Sequence, residues 1–477
     1  MYFSVVNEFI ESKADAFFEI AIKIWEYAEL GLMEFKSSEL LASVLERNGF
    51  SVKRGVSGMP TAFIASWGDG KPVIGFLGEY DALPGLSQKA VPWREPLVEG
   101  APGHGCGHNI HGTSALASAL AVKEAMEKLG IKGTVRFYGT PAEENFSGKV
   151  YMVRDGLFDD VDAVLSHHPS DMNAATLLSS LAVRSCRFHF FGRASHASVS
   201  PEEGRSALDG VELMNIGVNY LREHVIQGAR IHYVIERGGE QPNIVPEYAR
   251  SWYYIRAPEV DQLESIFERV VDIARGAALM SGTKVDVEIL DAMYNVIPNG
   301  PIAAKIVDNM RSLGVPELSE EERRFAEEIA KTIPIQTKEN ELRKSKRPGW
   351  GRLIDKLIDD EVPEPWGDGD YMMGSTDVGD VSWKAPTVEF NTAAWVLGTP
   401  AHSWQSTAQS GSPLARRSLI FASKVMSLTA LDLLTDEDLL ERAKEDHSRR
   451  LRGRTYKPLI PESLTPPLNF WRDRFKF

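Results

Sequence analysis

Cys106 and His108 stand two residues apart in a glycine-spaced loop, GHGCGHNIHG, that holds three histidines and one of the chain's two cysteines. A thiolate and imidazoles so close together suit Zn²⁺ or another divalent transition metal. Glu143 and Glu144 in PAEEN, His167 and His168 in SHHPS and, far downstream, His402 are candidates to complete such a site. Adjacent residues in an extended or turning segment point in different directions, so one glutamate can bind metal while its neighbour faces substrate. A divalent ion brings the pKa of a water it holds down to about 7, and a nearby carboxylate can take that proton and hand it to a leaving amine. That is the logic of metal-assisted amide hydrolysis. Taken singly the same residues have plainer readings. An isolated histidine such as His232 or His447 belongs more often to a core or a surface, and a lone Cys106 would be a buried, inert thiol.

The apolar runs say where these clusters fall. GEYDALP follows PVIGFL, PAEEN follows TVRFYG, and SHHPS follows DAVL. Each polar cluster should close its strand at the carboxyl end, the edge on which open α/β sheets bind ligands. HGTSALASALAVKEAMEKLG reads as a long alanine-rich helix stopped by Gly130. Strands separated by helices predict a mainly parallel α/β sheet with helices on both faces. From Ser185 the rhythm changes to β-α-β-β-α-β, the order of a ferredoxin-like unit. The expected organisation is a metallohydrolase domain in two parts, 1–184 and 296–477, with an α+β unit at 185–295 inserted between them. Ser319 with Glu322 reads as a capping box opening a helix to about Thr332, and Thr435 with Asp438 as the start of another. The basic run ENELRKSKRPGWGR reads as a solvated loop or helix face.

Bulk properties narrow the class. At 477 residues the chain is too long for one ordinary core. Its net charge of −14 argues against nucleic-acid binding driven by overall basic charge. Two cysteines, Cys106 and Cys186, exclude a disulfide scaffold and fit a reducing compartment. The opening MYFSVVNEFIESKADAFF makes a poor signal peptide, and no run of 18 apolar residues suggests a membrane span. A cytoplasmic protein without a membrane is the expectation.

In combination, GCGHNIHG, PAEEN, HHP, GRASHAS and a late AHSW resemble the M20 metallopeptidases, in their aminoacylase-like amidohydrolase branch, from the first helix to about residue 430. The resemblance implies two neighbouring metal ions, Mn²⁺ or Zn²⁺, held by Cys106, His108, Glu144, His168 and His402. It implies Glu143 as general base, Asp81 as an acidic catalytic residue close to the metals, and His167 as a structural neighbour. The inserted unit resembles the family's lid and dimerisation domain. There the position of His196 implies a side chain lent to the neighbouring subunit's site to polarise the scissile carbonyl. Asn243 in QPNIVP and Arg256 in YYIRAP match positions that bind the substrate carboxylate, a task suited to a planar guanidinium fork. The implied enzyme is a metal-dependent amidohydrolase of an N-acyl or N-aroyl amino acid, with p-aminobenzoyl-glutamate expected and indoleacetyl-amino acids or dipeptides as alternatives. A homodimer is implied, or a pairing with an unlike homologous subunit. Asn109 and Glu79 depart from the aspartates most of the branch carries, and the segment 316–368 is longer than in simpler relatives. Two rival readings are a thiol amidase using Cys106 and a non-catalytic partner subunit.

Overall fold

The computed structural model describes residues 2–475. Among them ten strands build two sheets: β1 (Ser51–Arg54), β2 (Phe63–Asp69), β3 (Val73–Gly78), β4 (Gly133–Gly139), β5 (Ala163–Ser170), β6 (Ala182–Phe191), β7 (Arg230–Arg237), β8 (Tyr248–Ala257), β9 (Lys284–Met293) and β10 (Thr387–Ala393). The larger sheet runs in the order β1-β2-β4-β3-β5-β10. Its β4-β3-β5-β10 half is parallel, and β2 and β1 add an antiparallel edge. Parallel strands covered on both faces need continuous apolar runs, and VIGFLG of β3 is buried at every position.

The helix His108–Leu129 is buried over most of its length because its side chains are small. It packs on the helix Pro413–Thr435, with Ser118 Oγ donating to the Ser423 carbonyl at 3.1 Å. Pro413–Thr435 is long and apolar enough to cross a membrane, but 83% of its apolar window lies inside the fold.

The second sheet is antiparallel, in the order β7-β8-β6-β9, and carries the helices Ala207–Leu221 and Val260–Ser281 on one face. That is the ferredoxin-like arrangement the β-α-β-β-α-β pattern predicts. Phe188, Phe190, Tyr253 and Ile255 fill the helix side. By strand alternation Ser185, Trp252, Tyr254 and Arg256 face the other way, and Trp252 Nε1 donates to Ser185 Oγ at 2.8 Å.

Three local expectations need correction. His167 and His168 lie within β5 rather than after it, because β10 continues the pairing as far as Ser170. Thr435 ends the helix Pro413–Thr435, its hydroxyl bonding back to the Leu431 carbonyl. Asp436 instead caps Glu437–Leu451 by accepting from the Leu439 N–H. Ser319 does cap Glu320–Ala330 reciprocally with Glu322. The basic run is mostly solvent-facing, its first part in the helix Ile335–Lys344 and the rest in turns. Arg347 is the exception, fully buried between Asp359 at 2.5 Å and Glu361 at 2.8 Å.

Candidate metal centre

Two close backbone approaches bring the donors together. Gly107 caps the helix His108–Leu129 with φ +78°, and a Cβ there would lie 2.6 Å from Pro169 Cγ. The helix therefore starts hard against the end of β5, leaving Cys106 Sγ 3.3 Å from His168 Nε2. One turn on, a Cβ on Gly112 would come within 2.4 Å of the Glu79 carbonyl, so the helix also rides over the end of β3. His108 and His111 are thereby set against Glu79 and Asp81.

Asp81 makes two bonds that order the site. Its Oδ1 meets His108 Nδ1 at 2.8 Å and its Oδ2 accepts from the Glu144 N–H at 2.9 Å. A histidine held through Nδ1 presents Nε2 to a metal in a fixed direction. Burial opposes a charge on His108, but Cys106, Glu79 and Asp81 outweigh it and hold its pKa well above the ordinary value.

The donor atoms of Cys106, His108 and His168 lie within 4.8 Å of one another, as do those of Cys106, Glu144 and His402. The two triads share the cysteine. His402 Nε2 is 3.4 Å from Glu144 Oε1. The His402 backbone adopts φ +54°, unusual for a side-chain-bearing residue, and its N–H donates to the Gly105 carbonyl at 3.1 Å. His108 Nε2 and Glu79 Oε2, 3.1 Å apart, and Glu144 Oε1 are buried without making a hydrogen bond of proper geometry. Buried polar atoms are nearly always satisfied, and a divalent cation would satisfy these. The residues present fit such ions.

Glu143 opens the short helix Glu143–Phe146 next to Glu144, and its carboxylate groups with Glu79 and His108. Burial, then the charges of Glu79, Glu144 and Asp377, push its pKa well above the usual carboxylate range. The C-terminal tail, in whose sequence no chemistry is legible, packs under this turn: Phe146 meets Phe470 and Trp471 edge-on at 5.0 and 5.9 Å.

A second layer of charge had no motif to announce it. Lys149 is fully buried between Glu79 Oε1 and Asp377 Oδ1, each at 2.6 Å. His111 accepts from the Glu79 N–H at 3.0 Å and its Nε2 lies 3.1 Å from Ser166 Oγ, which donates to Glu389 at 3.0 Å. Burial raises the Glu79 pKa, but His111, Lys149 and His108 outweigh it and keep the carboxylate ionised. The spacing of His111 one turn after His108 was its only signal. Asn109 has a structural use, its amide donating to the Ala21 and Ser410 carbonyls at 3.2 and 2.9 Å. His167 is likewise enclosed, between Ser114 and Thr392 hydroxyls.

The remaining expected residues do not join the donor groups around Cys106. His196 is exposed on the loop after β6, where its Nδ1 accepts from the Val199 N–H at 3.2 Å. Asn243 lies on the adjoining loop, its carbonyl accepting from the Ala197 N–H at 3.0 Å. Arg256, near the end of β8, donates from Nη1 to Ser375 Oγ at 2.8 Å. The second sheet is tied to the turn after Glu143–Phe146 by Ser147 Oγ donating to Asp291 at 2.5 Å.

Fold and donor set together define a metal-dependent amidohydrolase. Residues 75–336 match the model of peptidase family M20/M25/M40, and the chain belongs to that family. It is 41% identical to a subunit of the p-aminobenzoyl-glutamate hydrolase of Escherichia coli (strain K12), over 97% of this chain and 98% of that one. Identity to the Xaa-Arg dipeptidase of Mus musculus is 30%, covering 93% and 91%. Among solved structures, the fold is shared with a dinuclear metal-binding M20 peptidase of Bacillus subtilis, at TM-score 0.54, 17% identity and coverage of 88% and 99%.

Proposed function

We propose that this chain hydrolyses p-aminobenzoyl-glutamate to p-aminobenzoate and glutamate, using two divalent ions, Mn²⁺ or Zn²⁺, as a cytoplasmic homodimer. The substrate follows the relative sharing 41% of its residues. The observation that carries the reaction is the meeting of two donor triads at Cys106, with His108, Glu144, His168 and His402, beside the Glu143 carboxylate.

When bound there, the ions supply Lewis acidity for a water and for the amide carbonyl. Glu143 takes the proton of the attacking water and delivers it to the departing nitrogen. Asp81 acts through His108, fixing the ring, and through the Glu144 backbone, fixing the loop. In this reading the residues 185–295 form the lid. Its His196 hydrogen-bonds the scissile carbonyl oxygen in the neighbouring subunit, and Asn243 and Arg256 hold the substrate carboxylate.

The reaction is tested by mass spectrometry of p-aminobenzoyl-glutamate incubated with purified protein and Mn²⁺ or Zn²⁺, against a chelated control. Metal-dependent release of both products is the expected result. Release that survives chelation would instead favour a thiol route through the Cys106–His168 contact. Cleavage only of other N-acyl amino acids or dipeptides would move the substrate. No cleavage of any would point to a non-catalytic role beside an unlike subunit.

The shared site has its own test. Neither His196→Ala nor Glu143→Gln alone should turn over, yet a refolded mixture should recover about a quarter of wild-type activity per total subunit. That follows if one hybrid site in each mixed dimer keeps both residues. Absence of recovery in verified hybrids would refute the donation of His196 across the dimer.

A further inference from the structure

The open face of the lid sheet gathers positive charge that no carboxylate among the described residues meets. β7 and β8 pair so that Arg230 stands directly opposite Arg256, and His232 opposite Tyr254. Side chains so placed lie about 5 Å apart at Cβ, and like charges there are destabilising. Among the described residues Arg256 nevertheless donates only to Ser375 Oγ, and Arg230 only to the Gln227 and Ala229 carbonyls at 2.8 and 2.7 Å. Farther along the same face arginines are matched, Arg187 by Glu236 at 2.8 Å and Arg250 by Glu236 at 2.9 Å, as is Arg184 on the helix side by Glu264 at 2.7 Å.

Arg230 and His232 border a space. A cavity of about 300 Å³ is lined by Arg222, Val225, Ile226, Gln227, Arg230 and His232 among others, the lower end of the range for small-ligand sites; Arg256 stands beside it, opposite Arg230. Burial and then the charges of Arg256, Arg222 and Arg230 hold the His232 pKa below its ordinary value, so all three guanidinium groups act on the same ring. The group also borders the catalytic unit. Ser375 lies two residues before Asp377, the partner of Lys149. In the turn before β7, a Cβ on Gly228 would meet Tyr371 Oη at 2.4 Å.

We propose that Arg230, flanked by Arg222 and His232, binds a second carboxylate of the substrate while Arg256 takes the first, so that the enzyme selects amides of acidic amino acids. This deepens the amidohydrolase reading and rests on it. Two guanidinium groups on neighbouring strands match the two carboxylates of one glutamate. The charge that an anion would offset becomes a repulsive element against a cationic side chain in the same place.

The test compares p-aminobenzoyl-glutamate, p-aminobenzoyl-glutamine and p-aminobenzoyl-arginine in the wild-type holoenzyme and in Arg230→Gln and Arg230→Lys. The wild type should favour glutamate over glutamine by about 10- to 100-fold in kcat/KM, the worth of one charged hydrogen-bonded contact, with arginine last. Arg230→Gln should raise KM for the glutamate conjugate by a similar factor while kcat changes little. Its KM for the glutamine conjugate should barely move, and Arg230→Lys should recover part of the loss. No preference in the wild type, or equal losses on glutamate and glutamine, would overturn the proposal. Calorimetric titration of the holoenzyme with free glutamate and free glutamine separates this from failure of the substrate assignment. If no aminobenzoyl conjugate is cleaved, tighter glutamate binding that Arg230→Gln abolishes still supports the acidic subsite, and equal binding of the two refutes it.

Discussion

Glu143→Gln is expected to lower kcat for amide hydrolysis by about 10²- to 10⁴-fold, the usual worth of a positioned general acid–base group. The substitution keeps shape and removes only the ability to carry a proton. Glu143 sits on the turn whose neighbouring N–H, that of Glu144, is fixed by Asp81, so the loop should hold its place. Metal content, read by elemental mass spectrometry, should stay at the wild-type level because neither donor triad that meets at Cys106 includes Glu143. A variant keeping more than about a tenth of wild-type turnover would remove Glu143 from the mechanism, and one that lost its metal would reassign it as a ligand.

Lys149→Met should cost about 3–5 kcal/mol of stability, the usual loss when one partner of a buried ion pair is removed. The methionine fills much the same volume, so the loss comes from leaving Glu79 and Asp377 facing each other in the interior without an ammonium between them. Burial and that like charge then act on Asp377 without the ammonium, while Glu79 keeps only its histidine neighbours against them. Urea unfolding of the variant beside wild type measures the effect, and adding Asp377→Asn should return part of it. A change below about 1 kcal/mol would mean that water reaches the pair and that the lysine is dispensable to the fold.

The contrast between these two residues explains what the sequence could announce. Glu143, Glu144 and His168 were legible because each lies in a short polar cluster directly after or at the end of an apolar strand, and strand ends share an edge in a parallel sheet; Cys106 and His108 were legible from their own spacing in the glycine-rich loop that opens the helix His108–Leu129. His402 was found only through the company of the other motifs, since more than half the chain's second part separates it from His168. Lys149 stands in no motif, and Asp377 only in the glycine-punctuated polar stretch DGDYMMGSTDVGDVSW, which does not say what it meets. They meet because two unrelated loops close over Glu79, and long-range pairing of buried charges leaves no periodic trace. Arg347 hid for a similar reason, inside a basic run that is otherwise solvated. The β-α-β-β-α-β order foretold the second sheet well, because hydrophobic alternation fixes which face of each strand meets the helices. Helix starts were harder. Ser319 and Asp436 are both good caps, but the hydroxyl of Thr435 was already engaged by the preceding turn.

The strand order carries a consequence for biosynthesis. β5 pairs on one side with β3, but its other neighbour is β10, whose residues emerge only after the whole antiparallel sheet has been made. At ribosomal rates of about 5–20 residues per second, the roughly 200 intervening residues take on the order of 10–40 s. For that interval the nascent polypeptide offers an apolar, unpaired strand edge, the template on which chains aggregate. Slower elongation through 182–386 would lengthen the exposure, and a holdase that shields β5 until Thr387–Ala393 leaves the exit tunnel would raise the yield of active enzyme.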